Sequence, residues 1–232
     1  FGSSPAGRQR LPSAPPPGPA RRQRAAMADA AEEEVHVLVP IANGSEEIET
    51  ACVTDVLTRA KFKVTVASCE DALTVTMSRN LKITADKKLA DCAGGTWAAI
   101  VCPGGLPGAQ TLADNTTLQE MLRKQLSEER IVAAVCAAPA LVLAKNGLLK
   151  KGDTHEAFKA TCYPHPNKLF QNEITEETSA GAWQQEAVVV DRNVITSQGP
   201  GTSLQFALKI VEKLKGKELS KTLADALLTQ EA

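Results

Sequence analysis

Ile131-Val132-Ala133-Ala134-Val135-Cys136-Ala137-Ala138-Pro139 is the stretch on which the fold turns. Five small or apolar residues in a row read as a strand buried on both faces, as parallel sheets require. Pro139 suits the first turn of a helix, where its missing N–H has no intrahelical partner to lose. That helix is predicted over 138–145, stopped by Asn146-Gly147. The same strand-then-helix alternation recurs outward in both directions. Toward the N-terminus, 35–40 and 63–67 read as strands, and 46–60 as a helix with Ile48, Cys52, Val56 and Leu57 on its stripe. Ser45 is its expected N-cap, and Glu46, Glu47 and Glu49 load the first turn with the charge its dipole favours. Residues 73–77 and 81–84 alternate with period two, as a small hairpin does. A strand over 97–102 ends at Pro103-Gly104-Gly105, and a helix is predicted over 117–128. Toward the C-terminus, 188–190 and 194–197 flank an Asp191-Arg192-Asn193 turn, and 202–214 is an amphipathic helix. Such alternation predicts an α/β sandwich around a mostly parallel sheet, as one domain over about 33–222.

Composition narrows the function. Of 232 residues, 43% are hydrophobic and 23% charged, ordinary for a globular chain. The net charge of −1 supplies no field for nucleic acid, and 3% aromatics supply no stacking platform. No apolar run approaches the ~18 residues of a membrane span. Residues 1–28 hold five arginines, six of the 13 prolines and no acid, which leaves 21 basic against 27 acidic residues beyond them. This Pro/Arg-rich head is read as disordered, as translated sequence upstream of Met27, or as a transit peptide; 1–32 is set apart from the fold. Residues 223–232 look helical and are read as a C-terminal tail. The six cysteines form no Cys-x-x-Cys pair. They predict neither a metal site nor a disulfide framework, but a reducing compartment, cytoplasmic with plastid as the alternative. No cofactor motif is present.

In open α/β sheets ligands gather beyond the carboxyl ends of the strands. Cys136 stands there, opening a helix whose free N–H groups and partial positive charge can lower a thiol pKa; the competing reading is a buried core cysteine. Pro103-Gly104-Gly105 offers unobstructed backbone N–H groups for an oxyanion, or is simply a turn. Glu49 most simply decorates a helix start. If its neighbours Ile48 and Cys52 face the sheet, it can also point into the crevice beside Cys136, desolvated and able to share a proton with the sulfur.

Four ordered motifs make the reading specific: 44–49 (Gly-Ser-Glu-Glu-Ile-Glu), 103–110 (Pro-Gly-Gly-x-x-Gly-Ala-Gln), 135–139 (Val-Cys-Ala-Ala-Pro) and 197–202 (Ser-Gln-Gly-Pro-Gly-Thr). Together they resemble the ThiJ/PfpI superfamily, in the branch of the parkinsonism-associated deglycase (DJ-one), over about 34–222. Residues 147–149 and 160–164 look most like its plant members, which often carry two such domains in tandem. The resemblance implies a flavodoxin-like three-layer sandwich, usually homodimeric, with Cys136 as nucleophile and Glu49 as the carboxylate bonded to it. It implies Gly104, Gly105 and Ala137 as backbone donors, and Arg79 as an arginine that reaches the partner subunit's pocket. Where the family has a histidine this chain has Tyr163, with His165 two places on, and residues 151–158 look longer than the family's loop. The implied activity is a metal- and glutathione-independent glyoxalase that converts methylglyoxal or glyoxal to hydroxy acids, with deglycation of protein side chains as an extension. Redox sensing with chaperone-like behaviour through the same cysteine is the alternative. A cysteine peptidase is disfavoured by the displaced histidine.

Overall fold

The computed structural model describes residues 34–150, 157–178 and 182–230. The leader read over 1–32 and residues 151–156 of the long loop lie outside them. The strands are β1 (His36–Ile41), β2 (Lys63–Ser68), β3 (Thr74–Thr76), β4 (Lys82–Thr84), β5 (Lys87–Lys88), β6 (Ala99–Cys102), β7 (Ile131–Val135), β8 (Val188–Asp191) and β9 (Val194–Ser197). Seven of them form one sheet in the order β5-β2-β1-β6-β7-β9-β8. Every neighbouring pair is parallel except β8 with β9, which the Asp191-Arg192-Asn193 turn joins as a hairpin. β3 and β4 pair antiparallel outside the sheet, as their period-two pattern predicts.

The helices are α1 (Glu47–Arg59), α2 (Leu106–Asp114), α3 (Thr116–Ser127), a wide π-helical segment (Pro139–Ala144), α4 (Leu169–Glu177), α5 (Ser203–Lys215) and α6 (Lys217–Ala226). Side chains alternate across the pleat, so each strand feeds two cores. Leu38, Ile100 and Val132 pack with Leu112, Leu118, Leu143 and Ile174 on one face. Val37, Val101, Ala133 and Val135 pack with Val53, Leu57, Phe206 and Leu223 on the other. Two helical layers thus sandwich the sheet, and the mostly parallel, flavodoxin-like architecture is as expected. Among the described residues no helix is long and apolar enough to cross a membrane.

Four local expectations change. The buried face of α1 is Glu49, Thr50, Val53, Val56 and Leu57, while Ile48 is 52% exposed. The stripe is rotated because a carboxylate, Glu49, holds a core position. Its N-cap is Glu46, whose carboxylate accepts the Glu49 N–H at 2.8 Å. Ser45 instead turns its hydroxyl back to accept the Ala42 N–H at 3.0 Å. Helices α2 and α4 were not foreseen. No helix is predicted over 106–114, where Pro107 and Gly108 obscure the pattern, yet proline is tolerated in a first helical turn and Gly105 caps this one with φ +82°. α6 runs across residue 222 and buries Leu223 and Ala224, so ordered structure continues into the stretch read as a tail.

The chain leaves β1 for β2 on one side and returns to β6 on the other. Strand order therefore reverses between β1 and β6, and the carboxyl ends of β1, β6 and β7 border one crevice.

Candidate active site

Cys136 follows β7 directly, with φ +64°. A non-glycine residue in the left-handed region stores strain, on the order of 1–3 kcal/mol, and persists only where its surroundings over-determine it. Here the Cys136 N–H donates to the Ser197 carbonyl at 3.0 Å, and the Cys136 carbonyl accepts the Tyr163 N–H at 2.8 Å. The backbone is thus pinned by β9 on one side and by the 160–165 segment on the other. The result is a sharp strand-to-helix elbow that holds the side chain at the edge of the crevice, partly exposed.

Cys136 is partly exposed, whereas Cys92, Cys102 and Cys162 are buried in core, and all six cysteines are free thiols. With Gly105, Ala137, Arg79, Tyr163 and His165 it lines a cavity of about 630 Å³. Six of the eight residues singled out in the sequence therefore meet in one place. The other two, Glu49 and Gly104, stand behind the sulfur and do not line the cavity. Arg79 lines this chain's own cavity, and its backbone N–H donates to Glu47 Oε1 at 2.7 Å. Ser78 Oγ donates to Glu47 Oε2, also at 2.7 Å, so the β3–β4 turn is clamped onto the start of α1. His165 accepts the Asn167 N–H on Nδ1 at 3.2 Å. Among the described residues no three His, Cys, Asp or Glu side chains are grouped to hold a metal ion.

Glu49 is fully buried. Its Oε2 accepts the Gly104 N–H at 2.6 Å, while Oε1 meets no N–H or O–H donor. Gly104 therefore holds the acid and is not free as an oxyanion donor, contrary to the role read for it. The backbone N–H groups of Gly105 and Ala137 act on the Cys136 sulfur in the direction that lowers its thiol pKa. Burial pushes the Glu49 carboxyl up to about 7 against the Gly104 hydrogen bond, with the nearby Glu46 carboxylate adding to the rise. Burial, and next the Glu49 carboxylate, push the Cys136 thiol upward, more strongly than Gly105 and Ala137 pull it down. The lowered thiol pKa expected from a helix N-terminus is thus overturned. The donors are present, but the sulfur is largely desolvated beside a second acid. Two acids in such contact keep one proton between them and titrate as a pair.

Gly104 makes this contact possible. A Cβ there would lie 2.6 Å from Cys136 Cβ, 2.9 Å from Glu49 Oε2 and 3.0 Å from the Val135 carbonyl oxygen. Gly104→Ala is expected to force sulfur and carboxyl apart, destabilising the fold by about 1–3 kcal/mol, as overpacking does. Thermal melting and alkylation rate at Cys136 measure the two effects; wild-type values for both would show that the contact tolerates a methyl group.

Sequence reasoning missed Glu46, Leu106, Leu169 and Phe170, which also line the cavity. The signal for Glu46 was present in the acidic first turn. Leu169 and Phe170 belong to α4, whose capping residue Lys168 adopts φ +54° and carries no sequence cue.

Comparison with known proteins identifies the family. A sequence model described as the DJ-1/PfpI family matches residues 35–213. The chain is 43% identical over 192 residues to "Protein DJ-1 homolog B" of Arabidopsis thaliana, covering 83% of this chain and 41% of that protein. It thus spans less than half of this plant relative. It is 33% identical to the "Glutathione-independent glyoxalase DJR-1.2" of Caenorhabditis elegans, covering 85% of this chain and 97% of that one. The crystal structure of Drosophila melanogaster DJ-1beta superposes with a TM-score of 0.76 at 37% identity, covering 85% of this chain and 100% of that one. With its Cys–Glu elbow at the switch point of a matching fold, this chain belongs to the DJ-1/PfpI family.

Proposed function

We propose that the protein is a glyoxalase that needs neither glutathione nor metal and converts small 2-oxoaldehydes such as methylglyoxal and glyoxal to hydroxy acids. The observation that carries this reading is Cys136 facing the cavity with Glu49 sealed directly behind it. The name of the Caenorhabditis relative supports it. As the sulfur adds to the aldehyde carbon, its proton passes to Glu49 and on to the new oxyanion, which the Gly105 and Ala137 N–H groups stabilise. Glu49, again a carboxylate, takes the proton from that carbon and returns it to the neighbouring one through an enediol. Water then cleaves the thioester and releases lactate and the free thiol. The same addition to a sugar-aldehyde adduct of a protein side chain would register as deglycation.

Lactate release from methylglyoxal by the purified chain, without glutathione, tests the proposal; none released overturns it. The active pair carries one proton, and the form with two predominates below the Glu49 pKa of about 7. kcat/KM is therefore expected to rise about tenfold per pH unit below 7 and to level off above it. Glu46→Gln keeps an acceptor for the Glu49 N–H but removes a like charge, so the midpoint should move down. A profile flat from pH 6 to 8 would exclude this pair as the titrating group.

A second reading uses the same sulfur. Oxidation to the sulfinic acid would place oxygens against the Gly105 and Ala137 N–H groups and a protonated Glu49, so Cys136 would serve as a redox sensor. Selective addition of two oxygens at Cys136 under mild peroxide, without aldehyde turnover, would favour it. Family resemblance extends the proposal to a homodimer, and the absence of paired cysteine motifs to a cytoplasmic location, with plastid as the alternative. Ile48 and Leu81, each 52% exposed, are apolar surface that a second copy would cover.

A further inference from the structure

We infer that the aldehydes this site is built for carry a large apolar, aromatic substituent instead of a methyl group; the inference rests on the glyoxalase reading. The cavity's volume of about 630 Å³ lies in the ~300–1,000 Å³ range that encloses a drug-sized ligand. Methylglyoxal leaves most of that space unfilled. Leu106, Leu169 and Tyr163, which line the cavity, are 58%, 54% and 40% exposed. Three of the eight large apolar side chains left uncovered among the described residues are thus gathered at the cavity that holds the nucleophile, where a ligand would cover them. Phe170, itself buried, meets Tyr163 and His165 edge to face, with ring centroids 6.5 and 5.7 Å away. An aromatic ring entering from solvent can extend that edge-to-face array. Tyr163 matters here in its own right. Its ring is large and mostly apolar, with a single hydroxyl at one end.

The substituent leaves the chemistry unchanged. The aldehyde carbon is oxidised to the carboxyl level and the ketone carbon reduced to a carbinol. Water supplies the second carboxyl oxygen and Cys136 leaves as the thiol, so no external oxidant is needed.

Phenylglyoxal and methylglyoxal, assayed by release of mandelate and lactate, test the inference. The quantity read is the ratio of their kcat/KM values, in the wild type and in Leu106→Ser and Leu169→Ser. Both leucines are exposed, so the variants should fold. The wild type is expected to favour phenylglyoxal, and each substitution to lower the ratio about tenfold, the size of effect that apolar pocket contacts produce. A wild type that prefers methylglyoxal, or a ratio that neither substitution moves, overturns the inference while leaving the glyoxalase reading intact. So does an unmoved ratio accompanied by a dimer-to-monomer shift in sedimentation, which would assign the leucines to a second copy of the chain. Turnover of neither aldehyde overturns both.

Discussion

Cys136→Ser is expected to lower methylglyoxal turnover by roughly three orders of magnitude or more, the scale seen when a covalent nucleophile is removed, while leaving the melting temperature within a degree or two of wild type. The two side chains differ by one atom, and a serine hydroxyl can still contact Glu49. The elbow's φ of +64° is held by backbone bonds to Ser197 and from Tyr163 that the substitution does not touch. What changes is the nucleophile. A hydroxyl ionises far less readily than a thiol and is less polarisable, so a carboxyl with a pKa of about 7 cannot activate it to the same degree. Lactate release and a thermal melt on the same preparation separate chemistry from folding. Methylglyoxal consumption at the wild-type rate would mean that the reaction does not pass through this sulfur.

Glu49→Gln should act in opposite directions on activity and stability. Loss of the acid/base group is expected to slow turnover by about 10²–10⁴-fold. The fold should gain. Burial raises the carboxyl from 4.5 to about 7, so between those pH values the folded chain keeps a proton that the unfolded chain has released. Stability conferred by the protonated acid is complete below pH 4.5 and falls by about 1.4 kcal/mol per pH unit until 7, about 3 kcal/mol altogether. A glutamine has no charge to desolvate. Its amide oxygen can still accept the Gly104 N–H, and its NH₂ can face the sulfur. At pH 8 the variant is expected to melt about 6–12 °C above wild type, with the gap closing toward pH 5. Equal melting temperatures at pH 8 would mean that wild-type Glu49 carries no desolvation penalty when ionised. The site would then be one of ordinary carboxylate acidity.

Much of this arrangement is legible locally. β7 and the helix after it follow from five apolar residues and a proline, the β3–β4 hairpin from period-two alternation, and the β8–β9 hairpin from turn residues between two apolar runs. The four motifs that resemble the ThiJ/PfpI superfamily mark the loops beyond the strand ends, where Cys136, Glu49, Gly105 and Ala137 indeed gather. α2 and α4 escaped notice because proline and glycine obscure the start of one and a left-handed Lys168 begins the other. The orientation of α1 differs from its predicted stripe for another reason. Hydrophobic periodicity assigns carboxylates to solvent, and it has no means of recognising an acid whose partner lies in another loop.

By itself, then, the sequence determined the alternation of strands and helices, the parallel character of the sheet and the loops from which a site would be built. Each of these depends on residues within a turn or two of one another. Only the tertiary structure decided that Glu49 is sealed from solvent behind the sulfur, that the Gly104 N–H belongs to Glu49 across 55 residues of chain, and that the thiol is raised and not lowered. Ionisation in a protein interior is set by the dielectric and charges within a few ångströms, and those neighbours come together only when the two halves of the sheet close around the switch point.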